Sequence, residues 1–193
     1  MLRNFVFALA VGASAVGVPT DAHASVLEKS TESQRIDRAD LIIRGTVVES
    51  WVEHNLRDMV MTHYLVDASM VLKGDAPDGY VHVAVLGGEM STFRTLVEGA
   101  ARYNVGEEVL LLLSYKANFD HYVTMSMAKG KYTIRLDPES RREIVQRVNV
   151  PNNLKYDHRF LPFPSNDEKV FVDDFEERVL DIVSGRIPVE VPR

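Results

Sequence analysis

The chain has 193 residues, 22 of them basic and 28 acidic, for a net charge of −6, and it contains no cysteine. Mixed charge of mildly negative sum excludes a general affinity for nucleic acid or anionic membrane, both of which need concentrated positive charge. Without a thiol there is no disulfide framework and no acceptor for a lipid anchor. Such a chain is held together by its apolar core.

The first residues predict an export signal. Arg3 precedes an apolar run from Phe5 to Val18, and Pro19 stands ahead of Ala22, His23 and Ala24, an A-x-A cleavage pattern. The apolar run is about 14 residues, short of the roughly 20 that a membrane-spanning helix requires. Residues 1–24 are therefore expected to be removed, leaving 169 residues with the net charge unchanged, because Arg3 and Asp21 leave together. That length supports one domain.

Thr31 and Gln34 have capping-box spacing and predict a short helix over 30–38. "ADLIIRGTVVESWVEH" then reads as a long first strand, bent or bulged at Gly45. "MVMTHYLVDASMVLKG" alternates as a second strand, and Gly74, Asp75, Pro77, Asp78 and Gly79 mark the turn after it. In "YVHVAVLGG", Val81, Val83 and Val85 share one face of a third strand that ends at Gly87 and Gly88. The segment from Glu89 to Val105 lacks periodicity and reads as a loop.

"EEVLLLLSYKA" is nearly continuously apolar, the mark of a strand covered on both faces. After a connection at Asn118, Phe119 and Asp120, "HYVTMSMAKGKYTIRL" reads as a fifth strand interrupted by a bulge at Gly130. Beyond residue 138 the chain reads as loop-rich, anchored by Phe160, Leu161 and Phe163. "DDFEERVLDIVSGR" then predicts a final helix, with Asp173 and Glu176 as a capping-box-like pair and an apolar face of Val172, Phe175, Val179, Ile182 and Val183.

The expected fold is mainly β, a five-stranded OB-like barrel carrying a short N-terminal helix and a packed C-terminal helix, with a β-sandwich as the alternative. Residues 25–137 form the barrel domain in this reading, and 138–193 form the extension. Several stretches, "ADLIIRGTVVES", "VLKGDAP", "VLGGE", "LVEGAARYNVGEEVLLLL" and "MAKGKYTI", together resemble a broad group of exported bacterial proteins. Their OB-like fold is similar to that of netrin and tissue-inhibitor-of-metalloprotease modules. The resemblance implies architecture and carries no catalytic residue. It also lacks the amino-terminal cysteine with which the inhibitors chelate a target's metal.

No phosphate-binding G-x-x-x-x-G-K-[ST] occurs, no H-x-x-x-H pair offers a local metal motif, and no G-x-S-x-G marks a nucleophile. The chain is therefore expected to be a non-enzymatic binding or interaction module without cofactor or metal, directed to an unknown protein or envelope ligand. Its binding residues are expected among Trp51, Glu89, Phe93, Arg94 and Tyr103, with the loop at 89–104 as contact surface. Two alternatives stand beside this. One is a protease-inhibitor-like protein; the other is a hydrolase, which needs two or more of Glu89, His82, Asp120 and His121 to converge.

Overall fold

A computed structural model describes residues 30–54, 59–91, 94–146 and 169–190. The expected signal segment, Phe93 and the stretch holding Phe160, Leu161 and Phe163 lie outside the described residues. Helix α1 (Glu32–Arg38) opens with the predicted box: the Gln34 amide donates to Thr31 Oγ1, and the Thr31 amide donates to Gln34 Oε1. Ile36 anchors it and is wholly buried.

The strands follow as β1 (Leu41–His54), β2 (Val60–Lys73), β3 (Tyr80–Leu86), β4 (Gly88–Glu89), β5 (Arg94–Thr95), β6 (Glu108–Lys116), β7 (His121–Thr124), β8 (Lys131–Leu136), β9 (Glu143–Gln146) and β10 (Val170–Phe171). Helix α2 (Val172–Val183) closes the described chain. Five strands form a ring, β1-β2-β3-β7-β6 and back to β1, in which only β3 and β7 run parallel. This is the OB-like fold expected from the sequence, rather than two stacked sheets.

Closure depends on β1, which pairs with β2 along its whole length and with β6 over Leu41–Thr46. A strand that closes a ring by pairing with a neighbour on each edge must bend, and register shifts against β2 fall on both sides of Ile43 and Arg44, and again at Val47. At Gly45 the crossing is so tight that a Cβ would lie 2.3 Å from the Asp67 carbonyl oxygen. Only glycine fits there.

The predicted fifth strand forms in two pieces. Leu113 pairs with Leu41 on one side and Thr124 on the other, while Leu111 pairs with Ile43 and Lys131, so β7 and β8 lie along the same edge of β6. Between them, residues 125–130 stand opposite Leu112 alone, with the Met125 amide still donating to the Leu112 carbonyl. The interruption read at Gly130 is thus an enlarged bulge containing a 3₁₀ turn, Met127–Gly130.

Three expectations need correction beyond residue 137. The stretch read as loop contains β9, which pairs with β8, and β10 pairs with β9 in turn. Strands of four and two residues are too short to show a period. At α2, Phe171 is the N-cap and makes no side-chain cap, so Asp173 and Glu176 form no capping box. Asp173 instead accepts from Arg142 Nη2 at 2.7 and 2.8 Å. Glu176 turns toward Arg44 Nη1 at 3.6 Å. Val183 is 38% exposed, leaving Val172, Phe175, Val179 and Ile182 as the buried face.

The four leucines of β6 explain the continuous apolar run. Val109, Leu111 and Leu113 fill the ring with Tyr64, Val66, Val81, Val83 and Tyr103. Leu110 and Leu112 face the other way, against Ile36, Tyr132, Phe175 and Val179, and this second cluster docks both helices. Each face of the strand is buried for a different reason, and alternation sorts the side chains between them.

A polar knot crosses this core. Lys131 Nζ lies 2.7 Å from Glu107 Oε1 and also donates to the Arg102 carbonyl at 2.5 Å. Thr133 Oγ1 and the Asn104 amide donate to the same carboxylate at 2.6 and 3.0 Å. Burial opposes ionisation of Glu107, but the donors from Lys131, Thr133 and Asn104 outweigh it and hold the carboxyl below its ordinary pKa. Burial pulls the Lys131 ammonium below its ordinary value despite Glu107. Three donors converging on one carboxylate make the ionised pair the state that fits the geometry.

Gly45→Ala is expected to lower stability by about 2 kcal/mol or more, by overpacking against backbone that cannot yield. An unchanged urea midpoint would show that the crossing relaxes freely. Lys131→Met, which strands a buried carboxylate, is expected to cost about 3–5 kcal/mol, with Lys131→Met plus Glu107→Leu less destabilising than the single change. Because the Glu107 pKa is depressed in the folded state, its contribution is complete above the model-peptide value of 4.5 and is lost as pH falls through the lower folded value. In Glu107→Gln that acid limb flattens in thermal melts recorded from neutral pH downward.

Candidate functional site

The loop expected to carry contacts is partly ordered by its own small hairpin, β4 with β5, in which Gly88 pairs with Thr95 and Glu89 with Arg94. Gly87 turns the chain into it with φ +93°, and a Cβ there would stand 2.8 Å from the Thr95 carbonyl oxygen. Thr62 Oγ1 donates to the Gly87 carbonyl at 2.7 Å and fastens the turn to β2. Glu89, Arg94 and Tyr103 line one cavity of about 220 Å³, together with Arg102 and Asn104.

Three of the expected binding residues are therefore brought together, but their roles differ. Glu89 and Arg94 form an exposed pair at 3.6 Å, weak because water competes for both groups. Tyr103 is a core residue: its hydroxyl is spent on Thr124 Oγ1, its ring packs 4.7 Å from that of Tyr64, and burial raises its pKa. It forms a wall rather than a docking ring.

Trp51 lies elsewhere, and around it is an arrangement that residue spacing alone does not reveal. Trp51 pairs with His63 across β1 and β2, and His63 stands opposite Ala84, two residues from His82 on the same face of β3. His121 enters from β7, whose Tyr122 pairs with Val83. Because Tyr64 and Val83 point into the ring, and Tyr122 packs against the same cluster, the alternate positions 63, 82 and 121 all face outward.

The rings are in contact. Trp51 stacks on His63 and on His82, each at 5.3 Å between centroids with 14° and 22° between planes. His63 and His82 are 5.0 Å apart, and His121 meets them edge-on at 5.8 and 5.6 Å. Phe119 stacks on His121 at 5.6 Å and 18°. A row of five rings thus crosses four strands. Polar side chains on an outer sheet face are ordinarily solvated, yet His63 and His121 are only 4% and 5% exposed.

Burial holds all three imidazoles below the ordinary histidine pKa. For His63 the Glu53 carboxylate opposes this, and for His82 both Glu53 and Asp120 do. Rings of that kind are neutral at neutral pH. Glu53 Oε1 is 3.1 Å from His63 Nε2, yet that buried nitrogen makes no hydrogen bond. Distance without alignment makes Glu53 a charge neighbour, not an acceptor.

Of the four groups from which a hydrolase needs two or more together, His82 and His121 meet, and Asp120 acts electrostatically on both while accepting from the Tyr115 hydroxyl at 2.7 Å. Glu89 faces Arg94 in the hairpin instead. Among the described residues no three His, Cys, Asp or Glu side chains are set to hold one metal ion. No helix among them is long and apolar enough to cross a membrane.

Beside the ring row, β3 and β7 part after their single pairing at Val83 and Tyr122, leaving an apolar slot of about 280 Å³ walled by Met61, Ala84, Val123 and Met127, with Lys116 also lining it. Both cavities fall below the roughly 300 Å³ at which small-molecule pockets begin. The open face is the larger feature. No family model matches this chain, and no curated protein or solved structure matches it either.

Gly87→Ala is expected to loosen the loop locally, because alanine resists the positive φ and meets the Thr95 carbonyl. Hydrogen exchange of the Arg94, Thr95 and Arg102 amides should quicken severalfold while β6 stays protected. Equal protection throughout would show that the hairpin does not depend on Gly87.

Proposed function

We propose that this is an exported, non-enzymatic binding module that docks an envelope ligand on the outward face of β1, β2, β3 and β7. The observation that carries the reading is the row Trp51, His63, His82, His121 and Phe119. In OB-like folds the face of the second and third strands, between the loops that follow the first and fourth, is where oligomeric ligands lie. Here the row begins on β1 near the β1–β2 connection and ends at Phe119, in the connection from β6 to β7. Flat rings bind stackable units such as sugars without needing net positive charge.

Trp51 is 36% exposed and Phe119 40%, so both ends of the row remain open to a ligand while the centre is rigid. Rigid anchors lose little conformational entropy on binding. The cleavable leader read in residues 1–24 supports an exported location. A protease-inhibitor role draws on fold likeness alone, which does not establish activity. A hydrolase role has the grouping of His82, His121 and Asp120 to draw on, with Glu89 apart from it.

Retention of the mature chain on immobilised peptidoglycan and envelope polysaccharides tests the reading. Trp51→Ala combined with Phe119→Ala is expected to weaken retention about tenfold or more, with the fold kept, as two stacking contacts of about 1–3 kcal/mol each imply. Equal retention of the double variant, with loss instead in Arg94→Ala, would move the contact surface to the hairpin loop.

A further inference from the structure

Within the ring row, the closest polar contact is between two histidines: His63 Nδ1 and His82 Nε2 stand 2.8 Å apart. A neutral imidazole has one donor nitrogen and one acceptor nitrogen, so one of this pair carries the hydrogen and the other a lone pair. Both are also the atoms with which histidine binds metals. Glu53 lies on the far side of the His63 ring, 3.1 Å from Nε2. Negative charge there favours the tautomer with hydrogen on Nε2, which leaves the Nδ1 lone pair directed toward His82.

We propose that His63 Nδ1 and His82 Nε2 together bind a soft monovalent cation, Cu(I) or its analogue Ag(I), beneath the indole of Trp51. Donor number argues for this class. Zinc needs three or four protein ligands, and no such set exists among the described residues. Imidazole suits copper, and a monovalent d10 ion is satisfied by two nitrogen donors in line, where zinc is not. Charge argues the same way, because the cost of bringing an ion out of water rises steeply with its charge, and His63 is almost fully buried. Trp51, stacked over both rings, offers a π face that attracts a desolvated cation.

The movement required is small. With metal–nitrogen bonds of about 2 Å and the near-linear arrangement of a two-coordinate monovalent ion, two nitrogens sharing it stand about 4 Å apart, so the pair must widen by about 1.2 Å. His82, only half-buried, supplies that shift. Its hydrogen moves from Nε2 to Nδ1 as the metal enters, and no proton is released by the neutral ring.

Trp51 is the sole tryptophan, so its fluorescence reports on this site alone. The mature chain is titrated with silver nitrate in chloride-free buffer, and with Cu(I) under anaerobic competition with a coloured chelator. Saturable quenching at one equivalent is expected. His82→Gln and His63→Gln should each weaken the competition affinity about tenfold or more, while His54→Gln leaves it unchanged. Zn(II) should bind about tenfold more weakly than Ag(I). His82→Gln, at the half-buried position, keeps the test sound if His63→Gln fails to fold by circular dichroism.

Unchanged Ag(I) affinity in folded His82→Gln, or Zn(II) competing equally, would overturn the assignment. The pair sits within the proposed docking face, but the two readings are separable. Loss of metal from His82→Gln with polysaccharide retention intact supports the metal site independently. Retention by wild type without any metal binding would sink this inference and spare the other.

Discussion

Everything in this fold depends on β1 serving two neighbours at once. Its first half lies between β2 and β6, and its second half continues with β2 alone, so the sheet closes only if the strand bends within a few residues. Gly45 provides the close passage, and the neighbouring register shifts provide the twist. Once β1 is bent, the inward residues of all five ring strands meet in one core, and β6 is left with apolar side chains on both faces. The helices are the consequence: the second face of β6 must be covered, and α1 and α2 cover it.

Arg44 strengthens that arrangement from the same bend. Its guanidinium donates to Glu108 on β6 at 2.6 and 2.8 Å and to Glu143 on β9 at 2.8 Å, and it also faces Glu176 on α2. The ring, its three-strand extension and the final helix are thus joined around one cation. The buried Lys131 and Glu107 pair does the equivalent on the opposite side, gathering the end of the 89–104 loop onto β8 through Arg102, Asn104 and Thr133. Residues from "ARYNVGEEV" and "MAKGKYTI" are the ones that interlock here, and together they seat a loop on the core.

The outward face is built by the same closure. Trp51, His63, His82 and His121 come from four strands, and each is positioned by pairing with its neighbour rather than by proximity in the chain. Stacking buries His63 and His121 far more than polar side chains on an outer face ordinarily are. Neutral imidazoles in contact keep lone pairs available for the proposed cation, while the flat rings at the ends of the row serve the proposed ligand face.

Much of the architecture was legible from local pattern. Capping at Thr31, alternation in β3, the doubly buried run of β6 and the interruption near Gly130 each reflect a constraint acting within a few residues, so the amino-acid order alone determined them. The grouping of Glu89, Arg94 and Tyr103 was legible in part, because a single loop carries them. Strands β9 and β10 were not, since they are too short to show a period and form only because an edge awaits them. Nor was the imidazole row: Trp51, His63, His82 and His121 come from four strands and met only when the ring closed. Periodicity decides which side of a strand a residue faces; register and strand order, set by the bend at Gly45 and the closure onto β6, decide which residues it meets.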